Sequence, residues 1–553
     1  MLPADRLYRD EPLGNRVEFL LVEPDGPSSY AAMAELRTVS ERALWYIGDG
    51  IDVSDSEVER AARRFDEEVF PGVFDLFAPG REPPGRITIV VAELAGGLAG
   101  YFSSNDSLPR SATALTNERI AIYLAPGADL AGDDFQGTLA HELQHVAHWL
   151  VDPSESTWVN EGLSEFAART LGFPSLPFFP YTRGPGVSLT NWPLEIHQSL
   201  PNYAGSSLFA GYLAQRTGKE NLSQLVATST DSIAGVEDYL DTVAPALDFE
   251  QLFADWLVAN RVAADEGLYV TPNGGQIPFP QVTLARPGTV RADVPQFGGW
   301  YLRVDADSPL RATFKGLTTT PLIPVPPHSG DYCWWGNGGD SIDATLTRSV
   351  DLQQVDAATL TFQSWHAIED EWDFGYVAVS TDGGRRWEAL GATGTSRENP
   401  IGVAMGPGFT GVTDGWVEST ADLTPFAGRE VLLRFEYVTD ESLHGPGWCI
   451  DEIAIPQVGF YDGAEDEGVG WTSAGFIRAP RAGVPQRFLV QIVTGKGNEA
   501  RVSAVNVKPD GAATFVIDEP VTVIVSGLSR KARQPARFTI KFDGSAPSAA
   551  SAR

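Results

Sequence analysis

A chain of 553 residues is longer than one hydrophobic core supports, so two to four domains are expected, and 43% hydrophobic with 20% charged residues excludes a disordered or collagen-like polymer. Asp and Glu outnumber Lys and Arg by 73 to 40, for a net charge of -33, and no dense basic cluster is present, which argues against nucleic acid as a partner. No run approaches the roughly 20 apolar residues of a membrane span. Residues 1–20 lack the apolar core of a signal peptide, and their polar character suits a mature secreted start, so an extracellular location with the export signal already removed is expected.

In chain order, VEFLLVE at 17–23 reads as a strand, an amphipathic stretch around 30–46 as a helix-like segment, 55–70 as another, and RITIVV at 86–91 as a strand. ERIAIYLAP at 118–126 is a further strand, read as an edge that could pair with an extended substrate. A helical pattern follows from about Phe135 to Leu150. From Trp158 to about Ala264 the patterns are helical, interrupted by the Pro/Gly-rich stretch 173–202. After residue 265 short alternating runs recur between Gly, Pro and Asp-Gly turns, the pattern of antiparallel β structure.

The resulting fold class is multidomain: an α+β domain followed by all-β sandwich or jelly-roll domains. The expected boundaries are 1–265 for the first domain, 280–322 with 470–545 for a β-sandwich that is either discontinuous or a plain second domain, 323–460 for an inner module, and 546–553 for a disordered tail.

The helix 135–150 contains HELQH at 141–145. Residues four apart share a helix face, so His141 and His145 can reach one ion while Glu142 stands beside them as general base. A catalytic zinc needs a third protein ligand and an open position for water, whose pKa falls to about 7 on the metal. Glu161 in WVNEGLSEFA is the leading candidate; Glu165, one turn later, suits a hydrogen bond to a ligating imidazole, and His148 suits a supporting role, because three ligands from successive turns of one helix converge poorly. For the oxyanion donor the candidate is Tyr203 in NYAGSSLFAGYL, with His197 in reserve.

HELQH followed by Asn160-Glu161 resembles the gluzincin peptidases, and together with GYFSSND at 100–106 it is most similar to the hyicolysin type, over roughly residues 15–265. The resemblance implies one catalytic zinc held by His141, His145 and Glu161, and a protein or peptide substrate cut by an endopeptidase. The spacing from His145 to Glu161 is shorter than in thermolysin. An aminopeptidase on the same site, and an inactive protein that binds glycans or cell surfaces through its β-domains, are the alternatives; the intact Glu142 disfavours the second. The chain is expected to be a monomer.

In the β-rich half, HSGDYCWWGNGGDSIDATLTRSVDL, GYVAVSTDGGRRW, GWVESTADLTPFAGREVLLRFEYVTD and GPGWCIDEIAIP resemble the jelly-roll module of immune inhibitor A-type metallopeptidases, although that family's catalytic half is of metzincin type. Such folds bring their ends together, which implies a Cys333–Cys449 disulfide; two reduced buried thiols are the other reading. Asp340, Asp343, Glu369, Glu371 and Asp451 fall near loops or strand ends and are candidate calcium ligands.

Overall fold

The computed structural model describes residues 7, 11–23, 28–174, 181, 186–194, 198–271, 282–284, 286–305, 308–467 and 470–544; His197 and the tail 546–553 lie outside them. Strands β1 (Arg16–Val22), β2 (Ser29–Val39) and β3 (Ala43–Gly48) lead into helices α1 (Asp55–Arg64) and α2 (Phe70–Phe77), followed by β4 (Ile87–Val91), β5 (Gly100–Phe102) and β6 (Ala121–Leu124). The six strands form one sheet in the order β1-β2-β3-β4-β6-β5. β3, β4 and β6 run parallel, and β5 returns antiparallel at the edge. Every residue of β3, β4 and β6 is buried, as expected for central strands covered on both faces.

Two expectations change here. The stretch around 30–46 is β2 and β3 rather than a helix: its Ala, Met, Glu and Leu residues favour helix alone, but β2 pairs with β1 over its first seven residues and with β3 on its other edge. The strand before the HELQH helix is interior, and the edge belongs to β5.

Helices α3 (Asp133–Val151), α4 (Thr157–Thr170), α5 (Leu200–Thr217), α6 (Leu222–Val226), α7 (Ser232–Val243) and α8 (Phe249–Val262) complete the first half. α3, roughly 28 Å long at 1.5 Å per residue, places Asp133 and Asp134 in its first turn, where their charge opposes the dipole. It buries Phe135, Leu139, Leu143 and Val146 in the core beneath the sheet.

The rest of the chain is β. Strands at Leu310–Gly316 and Ala536–Gly544 pair antiparallel, as do Trp300–Val304 and Val521–Gly527. One sandwich is therefore built from segments before residue 317 and after residue 487, around Trp300, Phe314 and Phe538. Between them, sheets containing Thr359–Ala367 with Gly447–Ile455, and Asp343–Asp351 with Glu430–Val438, enclose a second core around Phe362, Phe435 and Trp448. Thr472–Ala474 and Ile477–Pro480 join these inner sheets by pairing with Asp343–Asp351 and Tyr332–Trp335, so residues 470–480 belong with the inner module and not with the outer sandwich. The Asp382-Gly383 turn joins two antiparallel strands, with Gly383 at φ +75° and Asp382 Oδ1 accepting from the Arg385 and Arg386 amides.

Cys333 and Cys449 stand side by side as free thiols in the structure. Trp335 stands opposite Cys449, which makes Cys333 its diagonal neighbour. Both thiols are buried, and burial followed by the neighbouring Cys333 sulfur pushes the Cys449 pKa well up.

The outer sandwich sits on the helices. Phe297, Tyr301, Val493, Ile524 and Leu528 share the core of the first half. Tyr301 donates to the Leu257 carbonyl at 3.0 Å, and Arg487 forms a bidentate pair with Glu250 at 2.6 and 2.7 Å.

Candidate metal centre

The four-residue spacing on α3 brings His141 and His145 together, with their Nε2 atoms 3.2 Å apart. The chain turns over residues 152–156 and re-enters as α4, which crosses beside α3 and carries Glu161 to the same point. Glu161 Oε2 lies 3.1 Å from His141 Nε2 and 3.6 Å from His145 Nε2. One ligating atom from each of these three residues can be drawn with all lying within 4.8 Å of one another.

The far side of each imidazole is engaged. His141 Nδ1 lies 3.3 Å from Glu165 Oε1. His145 Nδ1 lies 3.1 Å from Asn160 Oδ1 and 3.2 Å from Ser164 Oγ. Carboxylate and amide oxygens only accept, so each Nδ1 carries the proton and each Nε2 presents a lone pair. Two lone pairs and a carboxylate oxygen then face each other, and the buried Glu161 Oε2 has no hydrogen-bond partner among the described residues. That arrangement is repulsive without a cation. A two-nitrogen, one-oxygen donor set suits zinc, with space left for a fourth ligand.

Glu142 is buried on α3 beside His141. Burial pushes its carboxyl up, with the two imidazoles opposing the shift. Tyr203, in the first turn of α5, donates to Glu161 Oε1 at 3.2 Å. Burial, then the nearby carboxylates of Glu161 and Glu142, hold the phenol protonated by raising its pKa. His148 is not among the three convergent groups: it is buried beside Gln144, whose Nε2 lies 3.4 Å from its Nδ1, and burial lowers its pKa to about 3. Gln144 Oε1 accepts from Ser164 Oγ, linking His148 to the network behind His145. Sequence reasoning passed over Gln144 and Ser164. The available signal was that Ser164 follows Asn160 at the same four-residue interval by which Glu165 follows Glu161.

The close passage of α4 over α5 depends on Gly162, where an added Cβ would lie 2.9 Å from the Ser206 carbonyl oxygen. Any side chain there separates the helices and draws Glu161 away from Tyr203.

The five carboxylates read as calcium candidates do not come together. Asp340 accepts from Thr157 of α4, Asp451 accepts from the Ser329 amide, and Asp343 and Glu371 are in neither convergent group among the described residues. Glu369 alone enters a carboxylate group, with Asp373 and Asp440, which the sequence reading did not single out. Burial, then Asp440 and Asp373, push the Glu369 carboxyl far up, and its Oε2 is buried without a hydrogen-bond partner among the described residues.

Residues 315–480 match the family model described as the immune inhibitor A-like MAM domain. Similar proteins include the pre-pro-metalloprotease PrtV of Vibrio cholerae, 28% identical over 131 residues, which are 24% of this chain and 14% of that protein. Immune inhibitor A of Bacillus thuringiensis subsp. alesti is 32% identical over 148 residues, 26% of this chain and 20% of its own. Bacillopeptidase F of Bacillus subtilis is 31% identical over 96 residues, 17% of this chain and 6% of its own. The matches thus span a fifth or less of each of these relatives. The family match lies outside α3 and α4 and inside the β-rich half, which contains a module related to those of metallopeptidases.

Proposed function

We propose that this protein is a secreted zinc-dependent endopeptidase, with a zincin-type first half. The observation that carries the reading is the convergence of His141 Nε2, His145 Nε2 and Glu161 Oε2 while both Nδ1 atoms are held by acceptors. The relationship of the β module to those of proteins named metalloprotease and immune inhibitor A supports it.

Bound zinc would act as a Lewis acid and lower the pKa of a water to about 7. Glu142, beside the ligand pair, is suited to take a proton from the attacking water and return it to the leaving amine. The Tyr203 hydroxyl, already next to Glu161, is suited to donate to the oxyanion that develops at the scissile carbonyl. Glu165 and Asn160 hold the imidazoles in one tautomer and orientation. The outer edge of β5 offers main-chain groups with which an extended peptide could pair, the role that sequence reading assigned to its neighbour β6.

Casein hydrolysis tests the proposal. The expected result is activity that is lost on chelation, restored by zinc and abolished in Glu142→Ala. Chelator-insensitive hydrolysis, or a fully active Glu142→Ala, contradicts it. The calcium part of the reading narrows to Glu369, Asp373 and Asp440: adding calcium to the chelated protein should raise its melting temperature, and Asp373→Asn should remove that rise. An unchanged melting temperature in the parent removes calcium from the account.

A further inference from the structure

Helix α4 begins without a side-chain cap from its own N-cap residue. Ser156 occupies the N-cap position, yet its side chain makes no capping hydrogen bond. The donor that follows is satisfied from elsewhere: Asp340, 183 residues away in the β module, accepts from both the Thr157 amide and the Thr157 hydroxyl through Oδ2, each at 2.7 Å. Its other oxygen accepts from His444 Nδ1 at 2.5 Å and from the His444 amide at 3.2 Å. The Asp340 side chain is 2% exposed. Burial alone would raise its pKa, but the His444 imidazole and the Thr157 donors outweigh that and hold the carboxyl below its usual value.

The same module loop reaches the opposite wall. The Leu443 amide donates to Thr157 Oγ1 at 3.1 Å, with Leu443 at φ +59°, a left-handed conformation that a leucine adopts only under constraint. Two residues earlier, Glu441 accepts from the Ser104 amide at 3.2 Å and from the Ser104 hydroxyl. Ser104 lies just beyond the edge strand β5. Residues 441–444 therefore join the start of the helix that presents Glu161 to the end of the edge strand that packs against α3. A buried carboxylate at a helix N-terminus meets both the unsatisfied amides and the positive end of the dipole.

We infer that Asp340 is a positioning residue for the metal centre: the β module caps α4 in trans, sets where Glu161 stands relative to His141 and His145, and is part of the working site rather than an appended binding domain. The inference rests on the reading of Glu161 as a metal ligand. It assigns Asp340 no contact with metal or substrate; the residue acts through the first turn of α4.

The test compares full-length parent, Asp340→Ala, Asp340→Asn and Asp462→Ala. Asp462 is a control inside the module, where it accepts from the indole N–H groups of Trp334 and Trp471. Zinc dissociation constants are measured by chelator competition well below each melting temperature, with casein hydrolysis at saturating zinc alongside. Asp340→Ala should weaken zinc about 10-fold or more, the loss usual when a group supporting a metal ligand is removed, and lower kcat more than it changes KM. Asp340→Asn, which keeps an acceptor for the Thr157 amide, should recover most of the zinc affinity. Asp462→Ala should lower the melting temperature while leaving zinc affinity within twofold of the parent. Zinc binding by Asp340→Ala within twofold of the parent overturns the inference, as does an equal loss in Asp462→Ala. A parent that takes up no zinc overturns the underlying reading, and the inference with it.

Discussion

Glu161 uses its two oxygens for different tasks, Oε1 accepting from Tyr203 while Oε2 faces the imidazoles. Tyr203→Phe separates these tasks: it should leave zinc content unchanged and lower kcat by about 10²–10³, the usual loss of one oxyanion donor, measured as steady-state kinetics on a fluorogenic peptide. A second prediction concerns Glu155, in the turn before α4, whose carboxylate accepts from the Ser156 and Ser232 amides and whose pKa burial raises to about 8. Between the unfolded value of 4.5 and about 8 the folded protein holds a proton that the unfolded chain has lost. That contribution to stability is complete below the lower value and is lost as pH rises through the upper one. Thermal melts from pH 5 to 9 should therefore show Glu155→Gln gaining on the parent as pH rises; parallel curves would contradict this. At this scale the pairing of His141 with His145 was legible, because a four-residue interval on a helix fixes their common face. The engagement of Gln144 with Ser164 was not, since it requires the angle at which α3 meets α4.

The two helices that make the centre depend on close backbone contact. Gly162→Ala places a methyl group against the Ser206 carbonyl and should cost about 1–3 kcal/mol by overpacking, read by urea denaturation, with a parallel loss of zinc affinity as α4 lifts from α5. No change in either quantity would mean that the crossing tolerates more space than its geometry indicates. Element reading from sequence succeeded where one period dominated, as in α3 and the C-terminal strands. It failed at 30–46, where helix-favouring residues lie in β2 because β1 and β3 supply hydrogen bonds on both edges. It also misassigned the sheet edge, because strand order is decided by the return of the three-residue β5, too short to carry a pattern of its own.

Across the whole molecule the β-rich half is continuous with the site. Large apolar side chains from the outer sandwich complete the core around α8, each contributing about 1.5–3 kcal/mol when fully buried. A chain ending at residue 265 should consequently lose its cooperative melt and bind a hydrophobic dye, and a sharply melting fragment would contradict the shared core. None of this was legible beforehand: Asp340 read as a loop carboxylate, and only the folded chain brings it to Thr157 across the domain boundary. Zinc content by elemental analysis of parent, Glu142→Ala and Glu161→Ala tests the central claim most directly. The account predicts one zinc per chain in the parent and in Glu142→Ala, and its loss from Glu161→Ala. A metal-free parent, or full zinc retention without Glu161, would contradict it.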